Sequence, residues 1–397
     1  MKFSSLAAVA ALAATNALAR HLQPRQEPVT LQSGDYELVI TPGDAEPSVA
    51  MRETASGTVL FVEEQPLHIL LNGDVTNTAD GKYVAVVTED GALVGTGDVL
   101  DASGSVFSFE DRYEVASNGG FAVSRIVSVG SANSTDQGFN SHFTFGPTNP
   151  RDLQDYKFLV PGIWYGYKEH VPPGALAGDL NNNYFHFREM RMPLPFVMMH
   201  DPTSGQHLNL GHQDASPASP VDEPNGNWWI DEGITYAALG AQRVPSTKLG
   251  IVYPGIEGEK NYINPAAPWV YRSHPVTNGV THSYRFRINA APSADFGLAV
   301  RQSWRYHYDM VNPEIASVPA NDVYRASIDL LGFYGADYNG WPGFPFSCNL
   351  PDGDIREITF QMGFIGQQLP AAHLLLRDGY LTGQSNLADM GRRILDF

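Results

Sequence analysis

The sequence predicts a multidomain protein in which a large antiparallel β-sandwich is followed by a linker helix and an incomplete α/α toroid. Apolar residues alternate over many short segments between Val29 and about Ala291, and turn-forming residues separate these segments. After Ala291 and Pro292 the apolar period becomes helical. The 397 residues also suffice for two domains, since a single core rarely exceeds roughly 250–300 residues.

The first 19 residues predict a secretory signal peptide. Lys2 gives a short positive region, residues 6–14 are apolar, and Ala17 and Ala19 form a small-residue cleavage site. The apolar run is too short for a bilayer, which needs about 20 residues. We therefore expect a secreted, extracellular protein with a flexible or pro-segment over residues 20–28, and no later segment resembles a membrane span.

Residues 29–291 form the predicted β-sandwich domain. Three segments show the alternation most clearly: "DYELVIT", "GGFAVSRIVSVG" and "SYRFRIN". In the second segment Arg125 falls on the same face as Phe121 and Val123. Turn pairs such as Asp80-Gly81 separate the strands, as is typical of an antiparallel sandwich.

Residues 292–319 are predicted as a linker helix and connection, and residues 320–397 as a partial helical toroid. The linker helix carries an apolar stripe at helical spacing, formed by Phe296, Val300, Trp304 and Tyr308. In the toroid, "NDVYRASIDLL" predicts a helix with Asn321 or Asp322 as its N-cap.

Two further helices complete the predicted toroid segment. One runs from about Ile355 to Tyr380 with a kink at Pro370. The last is defined by one apolar face, formed by Leu387, Met390, Ile394 and Leu395.

Composition narrows the class of partner. The net charge of −18 argues against nucleic acid, whose binding depends on Lys and Arg, and against an anionic membrane surface. An oligo- or polysaccharide is compatible, and 18 Tyr and 6 Trp suit such a ligand.

Two single features bear on secretion. The only cysteine, Cys348, predicts a core without disulfides; it is either a buried small hydrophobe or has a partner cysteine beyond residue 397. Asn133 opens the sequon Asn133-Ser134-Thr135, which predicts glycosylation on a surface loop.

The order of domains resembles the six-hairpin glycosidase-like superfamily, in which an N-terminal β-supersandwich precedes an (α/α)6 toroid. The matching segments are "ADFGLAVRQSWRYHYDMVNPEI", "VYRASIDLL" and "GDIREITFQMGFIGQQLPAAHLLLRDGYLTGQ". The resemblance implies a substrate cleft at the junction of sandwich and toroid. It also implies that residues 320–397 are a shortened toroid, whose exposed apolar edge would favour self-association.

Glycoside hydrolysis needs two carboxyl groups across the scissile bond. The candidates from "LPDGDIRE" are Asp354 and Glu357 as catalytic groups and Asp352 as a substrate-binding group, at the predicted start of the inner helix. Capping of that helix is the alternative. The family's acid commonly lies further along the ring than this chain reaches, so catalytic activity stays open.

A second candidate cluster is Arg188, Glu189 and Arg191, which put charge into an apolar strand. Alternation sends Arg188 and Glu189 to opposite faces. The cluster is either an internal ion-pair network or part of a polar cleft, with Glu189 as a further catalytic candidate and Arg188 as a sugar-binding residue.

Aromatic residues in loop-like contexts are candidates for stacking on sugar rings. Trp164, Tyr165 and Trp341 are the predicted substrate-binding members, and Trp228 and Trp229 are a pair of which one faces inward. Filling the core is the alternative for each tryptophan.

Other chemistries find little support. The sequence holds no G-x-S-x-G elbow, H-E-x-x-H pair or Walker loop. His207 and His212 are five residues apart, which suits neither one strand face nor one helix face. We predict no metal and no cofactor.

The sequence therefore predicts a secreted, glycoside hydrolase-like carbohydrate-active protein. One alternative is a non-catalytic glycan binder or remnant. A second is a polysaccharide lyase, in which Tyr165 would act as base beside Arg188. The sugar, its linkage and the oligomeric state do not follow from the sequence.

Overall fold

The computed structural model describes residues 27–167, 184–215, 228–242, 246–256, 271–315, 317–349, 351–360 and 366–397. The predicted leader and residues 20–26 lie outside this part of the chain. Two compact units meet in sequence between Pro313 and Glu314. Each unit is described by itself, and the predicted boundaries at residues 292 and 320 stay predictions.

The first unit contains a 12-stranded sheet whose main path is β1-β2-β3-β4-β11-β19-β18-β14. Its pairings are antiparallel except for the parallel pair β17 and β20. Its strands are β1 (Val29–Ser33), β2 (Tyr36–Ile40), β3 (Val49–Glu53), β4 (Val59–Glu63), β5 (Leu67–Leu71), β6 (Asp74–Gly81), β11 (Gly138–Pro147), β14 (Tyr184–Arg188), β17 (Trp228–Ile230), β18 (Ala238–Gln242), β19 (Lys248–Tyr253) and β20 (Tyr271–Pro275).

A 9-stranded antiparallel sheet faces it, in the order β13-β12-β15-β16-β21-β10-β9-β8-β7. Its strands are β7 (Ala85–Glu89), β8 (Ala92–Leu100), β9 (Val106–Val115), β10 (Phe121–Ser131), β12 (Lys157–Val160), β13 (Trp164–Gly166), β15 (Phe196–Asp201), β16 (Gln206–His212) and β21 (Thr281–Pro292).

Aromatic side chains from both sheets form the core between them. Phe143 of β11 packs on Phe286 of β21 at 4.7 Å between ring centroids, and Phe139 packs on Phe107 of β9 at 5.2 Å. Each fully buried phenylalanine contributes about 1.5–3 kcal/mol through removal of apolar area from water. The antiparallel β-sandwich predicted from the alternation is confirmed.

A buried arginine of the 9-stranded sheet is ion-paired within its own sheet and hydrogen-bonded to the other sheet through this core. Arg125 and Asp111 are cross-strand neighbours on β10 and β9, with both side chains fully inaccessible. Arg125 donates to both carboxylate oxygens of Asp111, at 2.7 and 2.6 Å. It also donates to the carbonyl oxygens of His142 and Pro66, at 3.1 and 2.8 Å. Because His142 belongs to the opposite sheet, the guanidinium fixes the spacing between the sheets.

Helix α1 (Phe296–Val311) follows the last strand, as predicted, and packs on β15 and β16. Asp295 caps it by accepting a hydrogen bond from the Leu298 amide at 2.8 Å. The buried stripe is formed by Ala299, Ser303 and His307 rather than by the predicted residues. Phe296, Val300 and Trp304 flank this stripe and are partly buried, and Tyr308 is exposed. Ala299 and Ser303 are small, and Gly211 of β16 leaves room for the His307 ring, which the apolar spacing did not reveal.

In its described residues, the second unit combines three helices with two short hairpins. Its elements are α2 (Ala320–Tyr334), β22 (Ala336–Tyr338), β23 (Trp341–Gly343), β24 (Ser347–Cys348), β25 (Ile355–Glu357), α3 (Gln368–Thr382) and α4 (Ser385–Asp396). Its small core includes Ile328 of α2, Leu375 of α3 and Leu387 of α4. Helices α3 and α4 pack closely, since a β-carbon at Gly391 would lie 2.5 Å from the Ala372 carbonyl oxygen.

Several predictions for this unit are corrected. The helix predicted from about Ile355 starts only at Gln368, because residues 355–357 pair as strand β25. Pro370 lies in the first turn of α3, where its missing N–H disrupts no hydrogen bond, so it does not kink the helix. Cys348 is exposed rather than buried. A toroid is not confirmed.

The helix N-cap prediction is also corrected. Pro319 occupies the cap position of α2, and Asn321 and Asp322 lie within its first turn. Asp322 still favours this end of the helix electrostatically.

Exposed apolar side chains accumulate on the second unit. Leu330 and Phe333 of α2 and Leu381 of α3 are all more than half exposed. Self-association through this edge stays a prediction. Among the described residues, no helix has the length and apolar character that a membrane span requires.

Candidate functional site

The predicted site residues fall into separate parts of the structure. Asp352, Asp354, Glu357 and Trp341 belong to the second unit, and Trp164, Tyr165, Arg188 and Glu189 belong to the first. Whether the two groups approach one another stays a prediction.

In the second unit, Trp341 directly follows the two-residue turn of a β-hairpin. Asn339 and Gly340 form the turn between β22 and β23 with φ of 55° and 86°. Positive φ at both positions is the type I′ geometry that an Asn-Gly pair favours. The Trp341 residue is 56% exposed, and its ring centroid lies 4.8 Å from that of Phe397, with an angle of 43° between the ring planes. The Trp341 side chain is therefore positioned by the hairpin and remains open to solvent.

The three candidate carboxylates lie on the neighbouring hairpin, not at a helix N-terminus. The Gly353 amide donates to the Asn349 carbonyl oxygen at 2.7 Å, which closes the turn between β24 and β25. Asp352 and Asp354 are exposed in this turn, and Glu357 is exposed at the end of β25. The helix-capping alternative for these residues is wrong, because no helix begins there.

Two tyrosines fasten the hairpins to each other and to α2. The Tyr334 hydroxyl donates to the Gly353 carbonyl oxygen at 2.6 Å. The Tyr338 hydroxyl, on the first hairpin, donates to the Tyr334 carbonyl oxygen at 2.8 Å. Phe360 then packs against Tyr338 and against Phe397. We call this combined region, residues 336–348 and 351–360, the hairpin surface.

In the first unit, Glu189 forms a buried pair with His212. Glu189 follows β14 in a 3-10 turn, and its Oε2 lies 2.5 Å from Nδ1 of His212 at the end of β16. The side chains are 1% and 2% exposed. A carboxylate at hydrogen-bond distance from Nδ1 fixes the orientation of the imidazole ring. Enclosure of the pair in the described structure supports the internal-network interpretation over a catalytic role for Glu189.

The pair continues into a set of buried aromatic and histidine side chains. Tyr253 stacks on Tyr284 at 4.7 Å, and His212 lies 5.9 Å from the Tyr253 ring. Burial, together with the Glu189 charge, raises the pKa of Tyr253 to about 12. Beyond it, Nδ1 of His282 lies 2.7 Å from Nδ1 of His274. The sequence contained no local signal for this set, because its members come from four strands, β16, β19, β20 and β21.

Trp164 and Tyr165 point in opposite directions from β13. Trp164 is 1% exposed and packs on Phe158 and Phe185, each at 5.0 Å, which favours the core interpretation for this residue. Tyr165 is exposed on the outer face of the 9-stranded sheet. Trp229 is buried, as expected for one member of its pair.

The lyase arrangement is not assembled in this unit. Alternation along β14 places Phe185 and Phe187 in the core and Arg188 on the outer face of the 12-stranded sheet. Tyr165 faces outward from the other sheet, so the core separates the proposed base from the proposed carboxylate-binding arginine.

Two further histidines meet on the outer face of the 12-stranded sheet. A β-carbon added at Gly250 would lie 2.6 Å from Nε2 of His142 and 2.7 Å from Nε2 of His186. Gly240 is the cross-strand partner of Gly250 and of His186, so two glycines clear the space for the rings. Isolated glycines inside strands indicate such a close approach, and this signal was present in the sequence.

Burial keeps several histidines of the sandwich neutral. It lowers the pKa of His186 and of His307 to about 3 and that of His207 to about 4. In the unfolded chain the pKa is about 6.5, so the unfolded state binds more protons below that pH. The folded state therefore loses stability as the pH falls from about 6.5 towards 4.

We expect the His307→Phe variant to lose less stability on acidification than the wild type. Each buried histidine contributes about 1.4 kcal/mol per pH unit, or about 2 kcal/mol between pH 6.5 and 5. Urea unfolding at pH 7 and pH 5 measures this difference, and His373→Gln, at an exposed position, serves as the control. Equal losses in the wild type and in His307→Phe would contradict the assignment.

Two remaining predictions concern glycosylation and metal binding. The Asn133 side chain is half-buried, and its Nδ2 donates to the Ser103 carbonyl oxygen at 2.7 Å. Attachment of a glycan would require that bond to break, and glycosylation stays a prediction. Among the described residues, no group of three or more His, Cys, Asp or Glu has the arrangement of a metal site.

Comparisons with known proteins give only distant similarities. No family model matches the sequence. No curated protein matches it either. A galactose mutarotase related enzyme from Lactobacillus acidophilus is 10% identical, with 68% of this chain and 99% of that chain covered and a TM-score of 0.36.

Two larger solved structures are also similar. The 4-alpha-glucanotransferase from Thermococcus litoralis is 7% identical, with 68% of this chain and 40% of that chain covered and a TM-score of 0.33. A glycosyl hydrolase family 38 protein from Enterococcus faecalis is 8% identical, with 75% and 34% covered and a TM-score of 0.37. These similarities assign neither a family nor an activity to the chain.

Proposed function

We propose that this chain is a secreted carbohydrate-active protein that binds glycan on the hairpin surface of its second unit. The observation that carries the proposal is the exposed Trp341 ring, which directly follows the tight turn of a β-hairpin. An exposed indole offers a large apolar face at little entropic cost, since the type I′ turn already fixes its backbone. The apolar face of a pyranose ring is complementary to it.

The neighbouring carboxylates add the polar part of the proposed site. Asp352 and Asp354 lie on a turn that Tyr334 holds next to the Trp341 hairpin. Carboxylates accept hydrogen bonds from sugar hydroxyls, and each oxygen can accept two. A stacking face beside hydrogen-bond acceptors fits a neutral polyhydroxylated ligand better than an anionic one.

Removal of the Trp341 side chain should abolish most of this binding. We expect Trp341→Ala to lose roughly 30-fold in affinity, which corresponds to about 2 kcal/mol for an aromatic hot spot. Affinity electrophoresis in gels that contain a panel of soluble polysaccharides gives the measurement. Tyr308→Ala is the matched control, because Tyr308 is also an exposed aromatic but lies on α1. Equal retardation of the two variants would refute the assignment to Trp341.

Glycoside hydrolysis is the second candidate function, and the placement of Asp354 and Glu357 on this same surface favours it. A general acid contributes typically 10²–10⁴-fold to the rate, so Asp354→Asn or Glu357→Gln should lower hydrolysis by at least roughly 100-fold. Release of reducing ends from the polysaccharide that binds gives the rate, with Asp389→Asn, exposed on α4, as the control. Wild-type binding without hydrolysis would leave the chain as a glycan binder.

A further inference from the structure

Helix α1 and the 9-stranded sheet enclose a polar seam in the first unit that the proposed function does not use. Gly211 of β16 and Arg287 of β21 are cross-strand neighbours, as are Asn209 and Asn289. The His307 ring lies over Gly211, where a β-carbon would come within 2.4 Å of it, and stacks on Phe196 at 4.1 Å. Polar groups are thus buried at the interface between this helix and the sheet.

Five side chains of α1, β16 and β21 have buried polar atoms without a hydrogen-bond partner among the described residues. These atoms are both ring nitrogens of His307, Oγ of Ser303, Nε and Nη1 of Arg287, Oδ1 of Asn209 and Nε2 of His207. All five residues are at least nine-tenths buried. Orphaned buried polar atoms are rare in folded proteins and indicate an ordered water or ion.

The positive charge of Arg287 distinguishes between an ordered water and an ion at this place. Arg287 is 9% exposed, and within the described part of the chain no carboxylate lies at ion-pair distance from it. Its neighbour Arg285, two residues away, is exposed and paired with Asp214 at 2.6 Å. A buried cation without a counter-charge is strongly unfavourable. Water would satisfy the N–H donors but would leave the charge uncompensated.

The donor set fits an anion. Arg287 offers two N–H groups and Ser303 one hydroxyl. Burial and the Arg287 charge lower the pKa of His307 to about 3, so its imidazole is neutral and adds one N–H. The Tyr306 hydroxyl is already used, since it donates to the Gly119 carbonyl oxygen at 2.8 Å and its oxygen is a hydrogen-bond partner of the Arg287 side chain.

We propose that this seam binds a small monovalent anion of halide size, held by the guanidinium of Arg287 and the hydroxyl of Ser303 beside the imidazole of His307. The anion neutralises the arginine and fills the donors that the fold leaves open. It links α1 to the sheet, so the folded first unit is more stable in its presence.

Thermal unfolding of the full chain tests the proposal. Sodium bromide replaces sodium gluconate stepwise in the buffer, so that the ionic strength stays constant. The wild-type midpoint should rise and saturate, since a ligand that binds only the folded state stabilises it according to its occupancy. Arg287→Met should lose this response, and Arg285→Met should keep it. Equal responses of the wild type and Arg287→Met would overturn the proposal.

If Arg287→Met does not fold, Ser303→Ala provides a second test of the proposal. Loss of one hydrogen bond to a charged group should weaken bromide binding roughly tenfold or more. Crystals grown in sodium bromide give the direct view: an anomalous peak within hydrogen-bond distance of Arg287 and Ser303 is expected. Water at that position, without an anomalous signal, would overturn the proposal.

Discussion

Replacement of Arg125 by methionine should lower the free energy of unfolding of the sandwich by about 3–5 kcal/mol. The variant leaves the Asp111 carboxylate fully buried without its cation. It also removes the donors to the His142 and Pro66 carbonyl oxygens, which lie 3.1 and 2.8 Å from the guanidinium. Urea denaturation followed by circular dichroism measures the loss.

Two further variants distinguish the effect of breaking the buried ion pair from the effect of removing any positive charge. Arg112→Met removes a partly exposed arginine from the same strand pair, and it should change stability by less than about 1 kcal/mol. Replacement of both partners, Arg125→Met with Asp111→Leu, should recover part of the loss, because no unpaired charge stays in the core. A loss below about 1 kcal/mol for Arg125→Met alone would show that water reaches the pair.

Replacement of Gly240 by alanine should be the most disruptive single-methyl change in the sandwich. A β-carbon there would lie 1.9 Å from the Phe185 carbonyl oxygen, which belongs to the paired strand and cannot move independently. Insertion of atoms into a packed core costs about 1–3 kcal/mol, and strands β14 and β18 would have to separate.

Gly130→Ala is the matched control for this change. Gly130 also lies in a strand, but the nearest atom to an added β-carbon would be 3.8 Å away. Its unfolding midpoint in urea should stay close to that of the wild type. If Gly240→Ala were equally stable, the close approach of β14 and β18 would be wrong.

The sandwich was predictable because its signal is local. Each strand buries one face, so alternation in "GGFAVSRIVSVG" placed Arg125 on the core face together with Val123. The partner of that arginine was not predictable, since Asp111 lies on another strand and cross-strand register is set by the fold. The sequence indicated that the charge of Arg125 lies in the core, but it did not identify the carboxylate that neutralises this charge.

The second unit was predicted less well because its elements depend on each other. Residues 355–357 have no strong local preference and pair as a strand only with residues 347–348. The Asn339-Gly340 turn was a local signal for a hairpin, and it places Trp341 at the surface. The exposure of that ring was therefore predictable, whereas the position of the carboxylates beside it was not.

The burial of Trp164 and Glu189 followed from long-range packing. Trp164 contacts Phe185, and Glu189 contacts His212, in both cases from a different strand. Loop-like composition around residues 161–167 suggested exposure, but the short strand β13 turns the indole inward. Whether a candidate residue chosen by its type and local context is buried or exposed thus depends on partners that are distant in sequence.

Hydrogen–deuterium exchange with mass spectrometry, with and without the polysaccharide that retards the protein most strongly, tests the central claim most directly. We predict slower amide exchange at residues 336–348 and 351–360 in the complex, lost in Trp341→Ala and kept in Tyr308→Ala. Protection confined to the strands of the sandwich, with none on the hairpin surface, would contradict glycan binding by the second unit.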